Sequence, residues 1–136
     1  MKIIIIALLA GTIFFVGCKE NILTNSTSAN IPVIANTTNA FAFTLIANSY
    51  SSEIEYDLSF STDSLSYSIT VFNQTSGDGS LTILDSNNSI VYSDTLLINK
   101  VVAFTQAAKG IPKTIKLTFN NYTGTLSFAL SRNNSN

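Results

Sequence analysis

The sequence predicts an all-β protein: an antiparallel two-sheet sandwich of about eight short strands, preceded by a cleaved signal helix and a flexible tether. Apolar and polar residues alternate along most of the chain after residue 39, which is the period of a strand with one buried face. Clusters of Ser, Asn, Asp and Gly separate these segments at short intervals, as turns do in all-β domains. No helical period follows the apolar run that opens the chain.

That opening run has the three parts of a secretory signal. Lys2 gives a positive charge, Ile3 to Val16 are almost wholly apolar, and Gly17 provides a small residue for cleavage. The run is shorter than the roughly 20 apolar residues of a membrane-spanning helix, and polar residues follow it without a basic cluster. We therefore predict that residues 1–17 are a cleaved signal peptide.

The signal ends in Phe15-Val16-Gly17-Cys18, which resembles the lipobox of bacterial lipoproteins. The resemblance implies a diacylglyceryl group on the Cys18 thiol, a cut between Gly17 and Cys18, and often a further acyl chain such as palmitate on the new amino terminus. It implies a lipid-anchored protein of the cell envelope, on the periplasmic or surface face of the outer membrane. Phe15 departs from the aliphatic residue that is usual in the family. The alternative is an ordinary signal peptide that ends near a cysteine.

The mature chain is predicted to contain one domain. Residues 18–38 are mostly small and polar and are predicted to form the tether, with a root-mean-square reach of roughly 25 Å. The domain is predicted over 39–132, with a polar tail at 133–136. The apolar piece Ile31-Pro32-Val33-Ile34 has an alternative interpretation as a first edge strand, where Pro is tolerated.

Two segments predict hairpins with all their apolar residues on one face. The first joins strands 54–60 and 65–71 through a turn at 61–64, pairing Phe60 with Leu65. The second joins 115–119 and 126–130 through a turn at 121–124, pairing Phe119 with Leu126. The remaining segments predict strands at 41–45, 81–83, 90–92 and 96–104, and loops or turns at 48–52, 73–80, 85–89 and 106–113.

A jelly-roll or Greek-key arrangement would bury the single apolar face of each predicted strand. Residues 64–132 also loosely resemble small extracellular sandwiches of bacterial surface proteins, such as pre-peptidase C-terminal and CUB-like domains. The resemblance is carried by a strand, Gly77-Asp78-Gly79, a second strand, and the closing Asn121-Tyr122-Thr123-Gly124-Thr125 segment. It implies an extracellular fold and transfers no functional residue.

Composition excludes several functional classes. The 136 residues include no His, which excludes a Ser-His-Asp triad and most zinc sites. The single Cys cannot form an internal disulfide. Charged residues make up 11% of the chain and the net charge is −1, so nucleic acid is not an expected partner. We predict no catalytic residue, no metal and no cofactor.

Three residues are candidates for contact with a ligand. Tyr50 and Tyr122 fall in predicted loops, where an exposed ring can stack on a sugar, although a tyrosine packed over a strand end is the alternative. Asp78 lies in a glycine-rich loop and could join Asp63, Asp85 or Asp94 around Ca²⁺. Its alternative is a glycine turn in which the Asp side chain bonds its own backbone.

These observations predict a non-enzymatic, lipid-anchored envelope protein that acts as a binding or structural module. Its expected partners are the membrane, through the anchor, and a glycan or another envelope protein. The first alternative is a carbohydrate-binding accessory module at the cell surface. The second is a small hydrolase that uses Glu55 and Asp57, which alternation otherwise places on a solvated strand face.

Overall fold

A computed structural model describes residues 28–107 and 109–133. The predicted signal peptide, Gly17, Cys18, the first part of the tether and the last three residues of the tail lie outside the described residues. The described part of the chain is all-β and forms one antiparallel sheet of six strands. It includes no helix that is long and apolar enough to cross a membrane.

The six strands form one continuous sheet rather than two separate sheets of about eight strands. The order is β1-β2-β6-β3-β4, and β5 also pairs with β3. The strands are β1 (Val33–Asn36), β2 (Ala40–Asp57), β3 (Ser64–Leu84), β4 (Ile90–Thr95), β5 (Lys100–Ala107) and β6 (Thr114–Arg132).

Three of these strands are long and bend in the middle. β2, β3 and β6 contain 18, 21 and 19 residues. The pairing register shifts at the middle of each long strand, where five residues have positive φ: Ser49, Asn73, Gly77, Asn121 and Gly124. The loops predicted at 48–52 and 73–80 and the turn predicted at 121–124 are therefore bends in continuous strands, which lowers the strand count to six.

The bends fold the sheet so that its two halves face each other. The first half consists of β1, β5 and residues 40–47, 64–72 and 124–132, and the second half consists of β4 and residues 52–57, 78–84 and 114–120. Phe41 and Tyr56 are fifteen positions apart on β2, a span of roughly 50 Å in a straight strand, yet their ring centroids are 5.7 Å apart. Across the same space Phe43 stacks on Phe119 at 6.4 Å, with an angle of 15° between the ring planes. The buried apolar residues fill this space, and no polar or charged residue that the structure describes is fully buried with them.

Both predicted hairpins are wrong, although the burial that they assumed is correct. β6 lies between β2 and β3, so Tyr56 pairs with Ile115 and Ile69 pairs with Phe128. The second predicted hairpin is the single strand β6, whose two halves run in one direction through the bend. All six of its alternating apolar residues are buried: Ile115, Leu117, Phe119, Leu126, Phe128 and Leu130. Alternation determines the buried face of a strand and leaves its neighbour undetermined.

The first strand lies within the segment predicted as tether. In β1, Val33 pairs with Thr44 and Asn36 with Phe41 at the edge of the sheet. This agrees with the alternative interpretation of Ile31 to Ile34 as an edge strand. The sheet therefore begins before residue 39.

Candidate functional site

The bend brings the three candidate ligand residues into one region of the sheet. Tyr50 is the ladder partner of Tyr122, and Asp78 is the partner of Asn120. Three segments that the sequence presents as separate loops are therefore neighbours on adjacent strands. We call residues 48–52, 73–78 and 120–123 the polar bend.

Side chains of the polar bend replace ladder hydrogen bonds that the bend interrupts. The Ser49 backbone N–H donates to Thr123 Oγ1 at 2.9 Å, and the Asn121 N–H donates to Ser51 Oγ at 2.8 Å. Gln74 Nε2 donates to the carbonyl of Gly77 at 3.0 Å. The first two bonds join β2 to β6, and the third is local to β3. Ser, Thr and Gln side chains can donate to and accept from backbone groups in this way, which explains why such residues are concentrated here.

The structure places Tyr122 in the core instead of in an exposed loop. Its side chain is fully buried on β6, and its ring packs against Phe119 with a centroid distance of 5.4 Å. Burial raises the pKa of its hydroxyl, which has no hydrogen-bond partner among the described residues. The ring has no free face on which a sugar could stack.

Tyr50 and Asp78 remain partly or fully accessible. The Tyr50 ring is half-buried and packs against Phe119 at 5.5 Å, so one part of it faces the core and another faces solvent. Asp78 is exposed and accepts a hydrogen bond from Asn120 Nδ2 at 3.3 Å. Asp78 is the only charged residue of the polar bend. The accessible groups of the bend are thus one phenol, one carboxylate and several amides and hydroxyls.

The carboxylates considered with Asp78 as calcium ligands lie elsewhere. Asp85 Oδ1 accepts the backbone N–H groups of Asn87 at 2.8 Å and Ser89 at 2.9 Å, which closes a turn after β3. Asp94 forms a salt bridge with Lys100 at 2.7 Å. Within residues 28–107 and 109–133, no three His, Cys, Asp or Glu side chains form a group that could hold a metal ion.

The carboxylates considered for hydrolysis lie on the outer side of the second half of the sheet. Glu55 is exposed and forms an ion pair with Lys116 at 2.9 Å, and Asp57 is exposed at the end of β2. Both occupy the solvated strand face that alternation predicts. The described residues form no pocket at this face or elsewhere.

Comparison with known proteins gives no family. The chain matches no family model, and no curated protein is significantly similar to it.

Proposed function

We propose that this protein is a lipid-anchored protein of a bacterial cell envelope that acts as a non-enzymatic binding or structural module. The observation that carries the proposal is Phe15-Val16-Gly17-Cys18 at the end of the apolar run. Lipid on Cys18 explains a lone cysteine in an exported chain, where it has no internal partner for a disulfide. Two or more acyl chains would hold the protein stably on a membrane.

The fold is compatible with this location. A domain that cannot use disulfides outside the cytoplasm must be stabilised by its core, and the core here contains several aromatic rings in mutual contact. We further propose that the two halves of the folded sheet are the layers of a sandwich, because rings of one half pack directly on rings of the other.

Metabolic labelling tests the anchor. Cells that express the full chain are fed a palmitate analogue, and we expect labelled protein from the natural sequence and none from Cys18→Ser. A matched control is Phe15→Leu, which restores the aliphatic residue usual in lipoboxes and should be labelled at least as strongly as the natural chain. Equal labelling of Cys18→Ser would refute the anchor.

The polar bend supports a second candidate, a carbohydrate-binding accessory module. A half-buried tyrosine beside exposed amides, with a single carboxylate, is a surface that can contact a ring face and hydroxyl groups. Tyr122 has no part in this version of the proposal because its ring is buried.

A glycan array tests this candidate with three variants. Tyr50→Ala and Asp78→Asn should each weaken binding, whereas Tyr122→Phe removes only a buried hydroxyl and should leave binding unchanged. Binding that survives Tyr50→Ala and Asp78→Asn together would exclude the polar bend as the glycan site.

A further inference from the structure

The two outer faces of the folded sheet differ in charge. In the first half of the sheet the outward side chains come from 33–35, 40–46, 66–72, 101–105 and 125–131, and all of them are Ala, Ser, Thr, Val, Ile or Phe. We call this side the uncharged face. The outer side of the second half carries Glu53, Glu55 and Lys116.

Large apolar side chains are exposed on the uncharged face, near the bend. One row across five strands runs Val33, Thr44, Ser127, Thr70 and Val101, and its two end residues are 59% and 78% exposed. The next row, closer to the bend, contains Ile46 and Phe72, which are 38% and 58% exposed.

We call Val33, Ile46, Phe72 and Val101 the apolar band. Single exposed apolar residues are normal on protein surfaces. The four lie among Ala, Ser and Thr side chains with no charge between them, so an apolar partner can cover this side of the sheet without dehydrating a charge.

The amino-terminal segment reaches the sheet beside this band. The Asn30 backbone N–H donates to the Ile46 carbonyl at 2.7 Å, and the Asn30 amide exchanges two hydrogen bonds with the backbone of Asn48 at 2.8 and 3.0 Å. Cys18 lies 30 − 18 = 12 residues before this attachment. Twelve residues span at most about 40 Å even when fully extended, so an anchor at Cys18 would keep the band within that distance of the lipid surface.

We propose that the uncharged face lies against the bilayer that holds the Cys18 acyl chains, with the apolar band among the lipid headgroups. This proposal rests on the lipid anchor of the proposed function. The uncharged face can approach lipid without dehydrating a charge, whereas the face that carries Glu53, Glu55 and Lys116 cannot. Contact through apolar side chains needs no anionic lipid and is insensitive to salt.

Tryptophan fluorescence tests the orientation, since the chain contains no Trp. Phe72→Trp and Val101→Trp place probes in the band on two different strands, at exposed positions that tolerate the larger ring. Thr118→Trp, exposed on the opposite face, is the matched control. The full lipidated chain is reconstituted in phosphatidylcholine vesicles at low protein density, with and without brominated phosphatidylcholine.

We expect blue-shifted emission from both band probes and quenching by brominated lipid of about twofold or more, while the control emits as in water and is not quenched. If the two band variants float with the vesicles but brominated lipid quenches them no more than the control, docking is overturned and the anchor stays intact. A blue shift without bromine quenching would show that a second copy covers the face and would also overturn docking. Protein that fails to float with the vesicles would overturn the anchor, and docking with it.

Discussion

Gly77→Ala tests the geometry of the bend directly. Gly77 has φ of 72°, in the left-handed region that costs a residue with a Cβ about 1–2 kcal/mol. A Cβ at this position would also overlap the backbone of Asn120 and Asn121 on β6. Backbone cannot move aside as a side chain can, and overpacking of this kind typically costs about 1–3 kcal/mol.

The two contributions predict that Gly77→Ala lowers the free energy of unfolding by about 2–5 kcal/mol, a large part of the roughly 5–15 kcal/mol typical of a domain. Urea denaturation of the mature chain carrying Cys18→Ser, followed by far-ultraviolet circular dichroism, measures the loss. Gly110→Ala is the matched control, because its added Cβ would lie 3.2 Å from Asp85 Oδ2 instead of overlapping backbone atoms, and its φ is not positive. A Gly77→Ala variant as stable as Gly110→Ala would refute the close approach of β3 and β6 at the bend.

Three further substitutions test the core and the partly buried ion pair of Lys100 and Asp94. Burial raises the pKa of Tyr67 from 10.0 to about 12, so the folded state retains this proton and the free energy of unfolding falls as pH rises from 10 to 12. Tyr67→Phe should remove about 2–3 kcal/mol of that fall. An unchanged dependence of the urea midpoint on alkaline pH would contradict this prediction. Phe43→Ala removes a buried ring that contacts Tyr56 and should lower the free energy of unfolding by about 3–5 kcal/mol in the same urea assay. A loss below about 1 kcal/mol would contradict the packing of the two halves of the sheet against each other. Lys100→Met leaves the Asp94 carboxylate without its cation and should lower the free energy of unfolding by about 1–3 kcal/mol in urea denaturation. The loss should be much smaller when Asp94 is already replaced by Asn. Equal losses in the two backgrounds would show that the ion pair contributes nothing to stability.

The buried faces of the strands could be predicted from the sequence, whereas the strand partners could not. Leu65, Ile69 and Val71 are buried as alternation predicts. Their neighbours on both sides, β6 and β5, come from much later in the chain. Alternation is a local property, and pairing with a distant strand leaves no local mark. The sequence therefore predicts hairpins between consecutive segments, and that pairing is wrong.

The continuity of the long strands did leave a signal. In β6 the buried apolar positions are odd-numbered up to Phe119 and even-numbered from Tyr122 onward. In β2 the core-facing positions change in the same way, from odd numbers up to Leu45 to even numbers at the partly buried Ile54. A change of parity is what one additional residue at a β-bulge produces in a continuous strand. In β3 the parity is the same on both sides of its bend, so this signal was absent there.

The candidate site could be predicted by residue type but not by arrangement. Tyr50 and Asp78 are accessible as expected, and only the strand order shows that they belong to one bend. Tyr122 was misplaced because Asn-Tyr-Thr-Gly has the composition of a turn. The positive φ of Asn121 accommodates the chain without reversing it and directs the tyrosine ring inward.

The mass of the mature protein tests the central proposal most directly. Protein extracted from membranes with detergent is digested, and its amino-terminal peptide is measured by mass spectrometry. The lipid-anchor proposal predicts a peptide that begins at Cys18 and carries a diacylglyceryl group, with or without a further acyl chain on its amino group. A peptide that retains residues 1–17, or one in which the Cys18 thiol is free, would contradict it.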